Sequence, residues 1–246
     1  MDLTILGCGT IIPQKPCNPC SGYLIDKQLL IDCGPGIWHA LCKNNINIIE
    51  IKHILLSHFH VDHCSDLSAI MLTRYLSPED IKIPLIIAGP KGLRNWFNQL
   101  SGIMGKWVHE LAYDLVEISD DAIISGYKIQ SAATEHTETS VCYRITNSDG
   151  VSLFYSGDSD FNNNLISLAK RSNVALIEAS NTQDTKVIGH LTPELAAEIA
   201  QTAQVKCLVL THMYPEVDAM NALTAASKIY GGEIKIAQPG MHIHVE

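Results

Sequence analysis

Short apolar runs alternate with segments of helical spacing along the chain. The runs at residues 3–6, 53–56 and 174–177 are too short for helices and predict buried strands. Residues 67–72 and 194–203 carry apolar side chains at the spacing of one helix face. The same pattern predicts a hairpin at 22–31 with its turn at 26–28, two or three strands within 115–132, and further strands at 83–88, 141–145, 151–156, 207–211, 234–236 and 243–245. It predicts helices at 37–43, at 165–171 and at 219–230, and a helix after Gly89-Pro90 that contains Trp96 and Phe97.

The densest group of polar residues lies where the strand at 53–56 ends and the next helix begins. His58 and His60 are two residues apart in extended chain, so their side chains point the same way. Asp62 and His63 follow where the chain turns into the helix and can face a second metal. Imidazole and carboxylate ligands suit zinc, manganese or iron(II). The spacing differs from that of His-Glu-x-x-His, whose histidines share one helix face. The stretch therefore predicts a metal site.

The motif His-x-His-x-Asp-His resembles the signature of the metallo-β-lactamase superfamily. That family takes its remaining ligands from later strand ends, and this chain has His136, Asp158 and His212 in the corresponding order. The resemblance implies one metal held by His58, His60, His136 and Asp158. It implies a second metal held by Asp62, His63, Asp158 and His212, with Asp158 bridging. The oxygen-reducing di-iron members carry Glu at the position of His60, so the chain resembles the hydrolytic members.

The resemblance covers essentially the entire chain and implies an α+β class, four-layer αββα sandwich. Two mixed sheets would lie face to face between outer helices, with the metals at one edge. Asp32, in an Asp-x-Gly segment, would support the site through hydrogen bonds without ligating a metal. Glu178 would lie at a strand end near the site, as a hydrogen-bond partner or as a surface residue. No linker, low-complexity segment or tandem repeat interrupts residues 1–246, so we expect a single domain.

A second informative stretch surrounds His190. Thr192 fits a helix N-cap and Pro193 fits the first turn, which places His190 just ahead of a helix N-terminus, where the potential favours an anion. The stretch resembles the Gly-His-[Leu/Ser]-Thr element of the ribonuclease Z-like branch, whose histidine contacts the scissile phosphate. The resemblance implies two catalytic residues. Asp62 would ligate a metal and orient the nucleophile, and His190 would steady a phosphoryl oxygen or protonate the leaving alkoxide.

These residues imply a dinuclear metal-dependent hydrolase, with a phosphodiesterase of the ribonuclease Z-like type as the main hypothesis. Two divalent ions, zinc first and manganese or iron as alternatives, would share a hydroxide that attacks the substrate. The substrate is a small phosphodiester, such as a cyclic nucleotide or a phosphonate-derived cyclic ester, or an RNA 3′ end. Three alternatives stay open: a tRNA 3′-processing endonuclease proper, a thioester or lactone hydrolase, and a non-catalytic metal-binding module.

Two features weigh against tRNA processing. Ribonuclease Z carries a protruding tRNA-binding arm between the metal motif and the third histidine, whereas ordinary predicted elements fill residues 67–134. The formal net charge of −9 also argues against nucleic-acid binding by bulk charge. An enzyme without the arm that borrows a surface from a homodimer mate stays open.

No apolar run reaches the roughly 18 residues of a membrane helix, and the first residues lack the basic segment of a secretory signal. A soluble cytoplasmic protein without a membrane partner is expected, with its eight cysteines mostly reduced. Cys17 and Cys20 resemble a structural zinc loop of some small phosphodiesterases. The extra histidine of that site is missing here, so free thiols are expected. The histidines expected to lie outside the site are His39, His53, His109, His242 and His244.

Overall fold

The computed structural model describes residues 1–13, 17–77 and 84–246. The strands of this part of the chain are β1 (Asp2–Gly7), β2 (Gly22–Ile25), β3 (Leu29–Ile31), β4 (His53–Leu55), β5 (Leu85–Gly89), β6 (Tyr113–Glu117), β7 (Asp121–Ile124), β8 (Tyr127–Ala133), β9 (Val141–Thr146), β10 (Ser152–Tyr155), β11 (Val174–Glu178), β12 (Cys207–Thr211), β13 (Glu233–Ile236) and β14 (His242–His244). The helices are α1 (Ile37–Lys43), α2 (Val61–Cys64), α3 (Leu67–Leu76), α4 (Leu93–Met104), α5 (Asn163–Ala169), α6 (Pro193–Ala203) and α7 (Ala219–Ser227), with short 3₁₀ helices at Ile48–Glu50 and Lys106–Glu110.

The strands form two seven-stranded mixed sheets. The first has the order β14-β1-β2-β3-β4-β5-β6 and the second has the order β13-β12-β11-β10-β9-β8-β7. In the first sheet the pairs from β3 to β6 are parallel, and in the second the pairs from β10 to β13 are parallel. The remaining pairs are antiparallel. The predicted pair of mixed sheets is confirmed.

Alternation along the strands divides the core into layers. On β2, Tyr23 and Ile25 face the space between the sheets, while Leu24 packs on the outer side of its sheet. On β11, Leu176 faces the same interior and Ile177 packs on the opposite outer side. Helices cover both outer faces, so each of these strands is buried on both sides. This explains why the strands appear as continuous apolar runs in the sequence, and the predicted αββα sandwich is confirmed.

The parallel strands carry their polar residues to one edge of the sandwich. Asp32 follows β3 and His58 follows β4 in the first sheet, while Asp158 follows β10 in the second. Ser180 and His212 follow β11 and β12, the next strands of the second sheet. Because the carboxyl ends of neighbouring parallel strands meet at the same edge, residues far apart in sequence come together there.

Several boundaries differ from the predictions. The residues at 115–132 form parts of three strands, but β6 belongs to the first sheet and β7 and β8 to the second. The last predicted helix ends at Ser227 rather than at residue 230. Its final turn tightens, because Lys228 and Ile229 donate to carbonyls only three residues back. Tyr230 is then buried and its hydroxyl donates to Val205 O. The predicted strand at 83–88 begins outside the described residues, which show β5 from Leu85.

Among the described residues, none of the helices combines the length and the apolar character that a membrane crossing requires.

We predict that Gly34→Ala destabilises the protein and disturbs the short helix α2, which carries Asp62. A Cβ at residue 34 would stand 1.9 Å from the carbonyl oxygen of Asp62 and 2.7 Å from the Cβ of Cys20. Overpacking of this kind costs about 1–3 kcal/mol of unfolding free energy. The control is Gly102→Ala in α4, where nothing lies within 4 Å of the added Cβ. It should stabilise the helix by up to about 1 kcal/mol. Urea denaturation measures both, and equal stabilities would contradict the prediction.

Candidate metal centre

The first group of site residues follows β4 directly. His60 has extended backbone (φ −66°, ψ 149°) and precedes the short helix α2. His58 and His60 therefore leave the strand on the same side, with ring centroids 4.8 Å apart. Asp62 and His63 lie on the first turn of α2. The predicted change from extended chain to helix within the motif is confirmed.

One set of donors brings His58 and His60 together with His136 and Asp158. Their ligand-type atoms all lie within 4.8 Å of one another. Asp158 Oδ2 is 3.8 Å from His58 Nε2 and 3.7 Å from His136 Nε2. His136 Nε2 is 3.0 Å from His60 Nδ1. Three imidazole nitrogens and one carboxylate oxygen thus point at a common centre.

A second set consists of Asp62, His63 and His212 and faces the other oxygen of Asp158. Asp158 Oδ1 is 3.3 Å from His63 Nε2 and 3.7 Å from His212 Nε2. His63 Nε2 and His212 Nε2 are 3.3 Å apart, and Asp62 Oδ2 is 3.4 Å from His212 Nε2. Asp158 therefore stands between the two sets and presents one oxygen to each.

The two sets fit divalent metal ions. Tetrahedral ligands about 2.1 Å from a metal stand roughly 3.4 Å apart, close to the spacing of these donors. His58 Nε2 and Asp158 Oδ1 are buried and make no hydrogen bond to any described residue. Buried polar atoms without partners are costly, and a metal ion would satisfy both. The donor types suit zinc, manganese or iron(II).

Each of four histidines makes a hydrogen bond with the ring nitrogen that points away from the centre. The partner atoms for Nδ1 are Ser57 Oγ for His58 (3.0 Å), Asp32 Oδ2 for His63 (2.8 Å), Gly189 O for His136 (2.9 Å) and Ser180 Oγ for His212 (3.0 Å). Such contacts fix the orientation of an imidazole and leave its Nε2 available as a ligand.

Asp32 is the fully buried support predicted for this site. Its carboxylate accepts hydrogen bonds from the backbone N–H and the hydroxyl of Ser57, from His63 and from the Tyr155 hydroxyl, at 2.7–2.8 Å. Its backbone is left-handed (φ 53°). Such a conformation persists only where surrounding contacts hold it, and here four hydrogen bonds do so.

Burial and neighbouring charges set the protonation of the donors. Burial opposes ionisation of Asp158, but His212 and His63 hold its pKa well below the usual range. Burial, followed by His63, lowers the pKa of His58 well below the usual value. Burial also opposes ionisation of Asp62, yet the hydrogen bond from His212 and the charge of His63 lower its pKa. The low pKa of His58 favours its neutral imidazole, the form that binds metal. Burial opposes the charge of His63, but Asp158 and Asp32 raise its pKa well above the usual value.

His190 lies beside both sets. Its ring centroid is 4.8 Å from that of His136 and 6.0 Å from that of His212. The helix α6 begins just after it, where the Thr192 side chain accepts from Leu195 N and Pro193 occupies the first turn, as predicted. His190 is therefore held at the helix N-terminus, next to the proposed metal ligands.

Glu178 is the hydrogen-bond partner of His190. Of the two roles that the sequence left open, a partner near the site or a surface residue, the first is the one observed. Glu178 is 1% exposed, and its Oε1 is 3.1 Å from His190 Nδ1. The same carboxylate accepts from Ser159 N, Leu191 N and the Ser180 hydroxyl. Burial would lower the pKa of His190, but the hydrogen bond and the charge of Glu178 raise it above the ordinary value.

Three contacts of the site were not predicted from the sequence. Ser57 and Ser180 hold histidine rings, and Tyr214 lies 6.1 Å from His190, centroid to centroid. Ser57 adjoins His58 in the sequence, which is a signal that could have been used. Ser180 and Tyr214 had no comparable signal, because their roles depend on how β11 and β12 end side by side.

The other histidines and the cysteines lie outside the two sets. His242 contacts the Thr4 hydroxyl, and His244 pairs with Asp2. All eight cysteines are free, as expected.

An open cleft of about 530 Å³ adjoins His136. Its lining residues are Thr134, Glu135, His136, Thr137, Glu138, Asp160, Phe161, Asn162, Ile188 and Gly189. Glu135 and Glu138 are exposed there, whereas Asp160 pairs with Lys186 at 2.8 Å. The wall of the cleft next to the site is therefore acidic.

The two stacked sheets and the donors at their shared edge give the chain the metallo-β-lactamase fold. Residues 1–228 match the family described as anti-Pycsar protein Apyc1, and the chain belongs to that family.

Similarity to other protein sequences covers most of the chain. Rv1339, an uncharacterised protein of Mycobacterium tuberculosis, is 30% identical over 244 residues, which cover 94% of this chain and 88% of the relative. A ribonuclease Z of Prochlorococcus marinus is 25% identical over 287 residues, with 91% of each chain covered. Among solved structures, the metallo-β-lactamase fold protein YhfI from Bacillus subtilis superposes with a TM-score of 0.86, at 22% identity over 98% of both chains.

We predict that Asp32→Asn weakens metal binding. The substitution removes the charge that faces His63 and replaces one acceptor oxygen by a donor, so the ring loses its fixed orientation. Loss of such a supporting contact lowers metal affinity about 10–100-fold. Zinc titration against a competing chelator measures the effect. Asp149→Asn, at an exposed turn, should bind zinc like the wild type. Equal affinities for Asp32→Asn and the wild type would contradict the prediction.

Proposed function

We propose that the chain is a dinuclear metal-dependent phosphodiesterase of the ribonuclease Z-like type. The observation that carries the proposal is the position of Asp158, whose two oxygens face two separate sets of donors while His190 borders both. A phosphodiester carries negative charge and needs both a nucleophile and a proton for its leaving group. Two cation sites beside a histidine supported by a carboxylate would meet these requirements.

The proposed ligands are His58, His60, His136 and Asp158 for one ion, and Asp62, His63, Asp158 and His212 for the other. Two divalent ions there, zinc first, would lower the pKa of a water and neutralise charge on the phosphoryl oxygens. The protein residues hold these groups in place, because Asp32, Ser57, Ser180 and the Gly189 carbonyl fix four of the imidazoles.

Asp62 and His190 have complementary roles in the proposed reaction. The ionised Asp62 carboxylate accepts a hydrogen bond from the attacking water and orients its oxygen toward phosphorus. Glu178 favours the protonated form of His190, because it raises the pKa of this imidazole. As the water oxygen bonds to phosphorus, one of its protons is released to solvent. As the bond between phosphorus and the leaving oxygen breaks, the His190 proton passes to that oxygen. His190 is then protonated again from solvent.

The acidic cleft favours a small phosphodiester over RNA as the substrate. The flanking phosphates of RNA would have to pass near Glu135 and Glu138, and like charges in such a cleft repel. Lys186, a cation near the cleft, already pairs with Asp160. A small diester, such as a cyclic nucleotide or a cyclic phosphonate-derived ester, places only one phosphate at the centre.

An RNA 3′ end is the second candidate, because a ribonuclease Z relative matches along 91% of this chain. A substrate of this kind would require cations from outside the acidic cleft. A homodimer mate, which the sequence leaves open, could supply them. Light scattering on the purified chain tests the homodimer, and limited proteolysis tests whether residues 1–246 form the expected single domain.

We predict that His190→Ala lowers phosphodiester turnover at least about 100-fold while metal content stays at the wild-type value. The substitution removes the proposed proton donor but none of the proposed ligands. Bis(p-nitrophenyl) phosphate and a precursor tRNA, assayed side by side, measure turnover and choose between the two substrate classes. His109→Ala, an exposed histidine outside both sets, should behave like the wild type. Full turnover by His190→Ala would remove this residue from the mechanism.

We also predict that metal content distinguishes Asp158→Ala from His212→Ala. Asp158 faces both sets, so its loss should reduce the content from two ions per chain to less than one. His212 belongs to one set, so its loss should leave about one ion in the other. Elemental analysis of the folded variants measures the content, and circular dichroism confirms that they are folded. One ion per chain in the wild type would contradict the dinuclear assignment.

A further inference from the structure

Tyr214 is held at the mouth of the site by its backbone. The chain turns sharply at His212, which has a left-handed conformation (φ 52°). Tyr214 N then donates to Ser180 O at 3.1 Å, and Tyr214 O accepts from Val217 N at 2.9 Å. Pro215 follows directly and restricts the backbone of Tyr214 further. These contacts leave little freedom for the backbone of Tyr214, so the point from which its side chain starts is set by the fold.

The Tyr214 ring lies against two histidines of the site. Its centroid is 6.1 Å from that of His190 and 6.2 Å from that of His212, with the rings nearly perpendicular. The Tyr214 ring therefore borders both the proposed proton donor and a proposed metal ligand.

The Tyr214 hydroxyl makes no hydrogen bond to any described residue, unlike most tyrosine hydroxyls of this chain. The tyrosines whose hydroxyls do bond to a described residue are Tyr23, Tyr75, Tyr127, Tyr143, Tyr155 and Tyr230. The exceptions are Tyr113 and Tyr214. Tyr113 packs against Phe97 on the helix-covered side of the first sheet, with a centroid distance of 5.0 Å. Tyr214 alone combines an unbonded hydroxyl with a place beside the site.

We propose that Tyr214 is a substrate-contacting residue whose hydroxyl donates a hydrogen bond to a non-bridging oxygen of the bound phosphodiester. This inference rests on the proposed phosphodiesterase function and deepens it. In the proposed reaction His190 serves the leaving oxygen, and ions held by the two donor sets would neutralise charge on the phosphoryl oxygens. A non-bridging oxygen on the side of His190 and His212 would lie beside the Tyr214 ring, whose hydroxyl can donate to it.

The test compares Tyr214→Phe with Tyr113→Phe in the metal-loaded protein. Each variant removes one unbonded hydroxyl and keeps the ring, so the pair isolates the effect of position. Isothermal titration with inorganic phosphate measures binding, and bis(p-nitrophenyl) phosphate measures turnover. For Tyr214→Phe we expect phosphate affinity and kcat/KM to fall about tenfold each, the loss typical of one hydrogen bond to a charged oxygen. Metal content should not change. Tyr113→Phe should match the wild type in all three measurements.

Two results would overturn the inference. One is wild-type phosphate affinity in Tyr214→Phe, and the other is a loss of metal from this variant, which would assign the residue to the metal centre instead. Failure of the proposed function gives a different result, in which the wild type binds phosphate but hydrolyses no diester. In that case the phosphate titration still decides whether the Tyr214 hydroxyl contacts a phosphate.

Discussion

The site depends on the buried carboxylate of Asp158, whose negative charge must be balanced at both of its oxygens. Asp158 is 3% exposed, and a charge in that position is stable only among opposite charges or strong donors. Imidazoles from three other segments approach its two oxygens. Those rings are in turn held by Ser57, Asp32, Ser180 and the Gly189 carbonyl. The loops of the site edge are therefore arranged to orient rings around this carboxylate.

This arrangement ties the site to the packing of the whole sandwich. Asp32 and His58 come from the first sheet, whereas Asp158 and His212 come from the second. The Tyr155 hydroxyl reaches from the second sheet to Asp32 in the first. The donors meet only when the two sheets are packed face to face. Metal binding should therefore stabilise the contact between the sheets as well as the loops.

Local patterns in the sequence predicted the parts of the structure that depend on residues close together in the sequence. Apolar runs marked most strands, and the step from strand to helix around His60 followed from residue types alone. The role of Glu178 stayed open, because its distance from His190 depends on the loop between β11 and α6. Ser180 and Tyr214 were missed for a similar reason, since their partners lie on a neighbouring strand end. The early end of α7 followed from a tertiary contact of Tyr230 that local propensity does not encode.

Glu178 gives the site a property that follows from how its contacts are shared. Both of its oxygens lie within hydrogen-bond distance of His190 Nδ1, and one of them also accepts from the Ser180 hydroxyl, which in turn contacts His212. His190, the proposed proton donor, and His212, a proposed metal ligand, are thus both connected to the negative charge of Glu178. A substitution that alters the Glu178 carboxylate should therefore change both the pKa of His190 and the metal affinity of the set that contains His212. Substitutions that adapt the proposed reaction to a different leaving group would have to lie in the outer walls of the cleft, where a side chain can be changed without contacting Glu178.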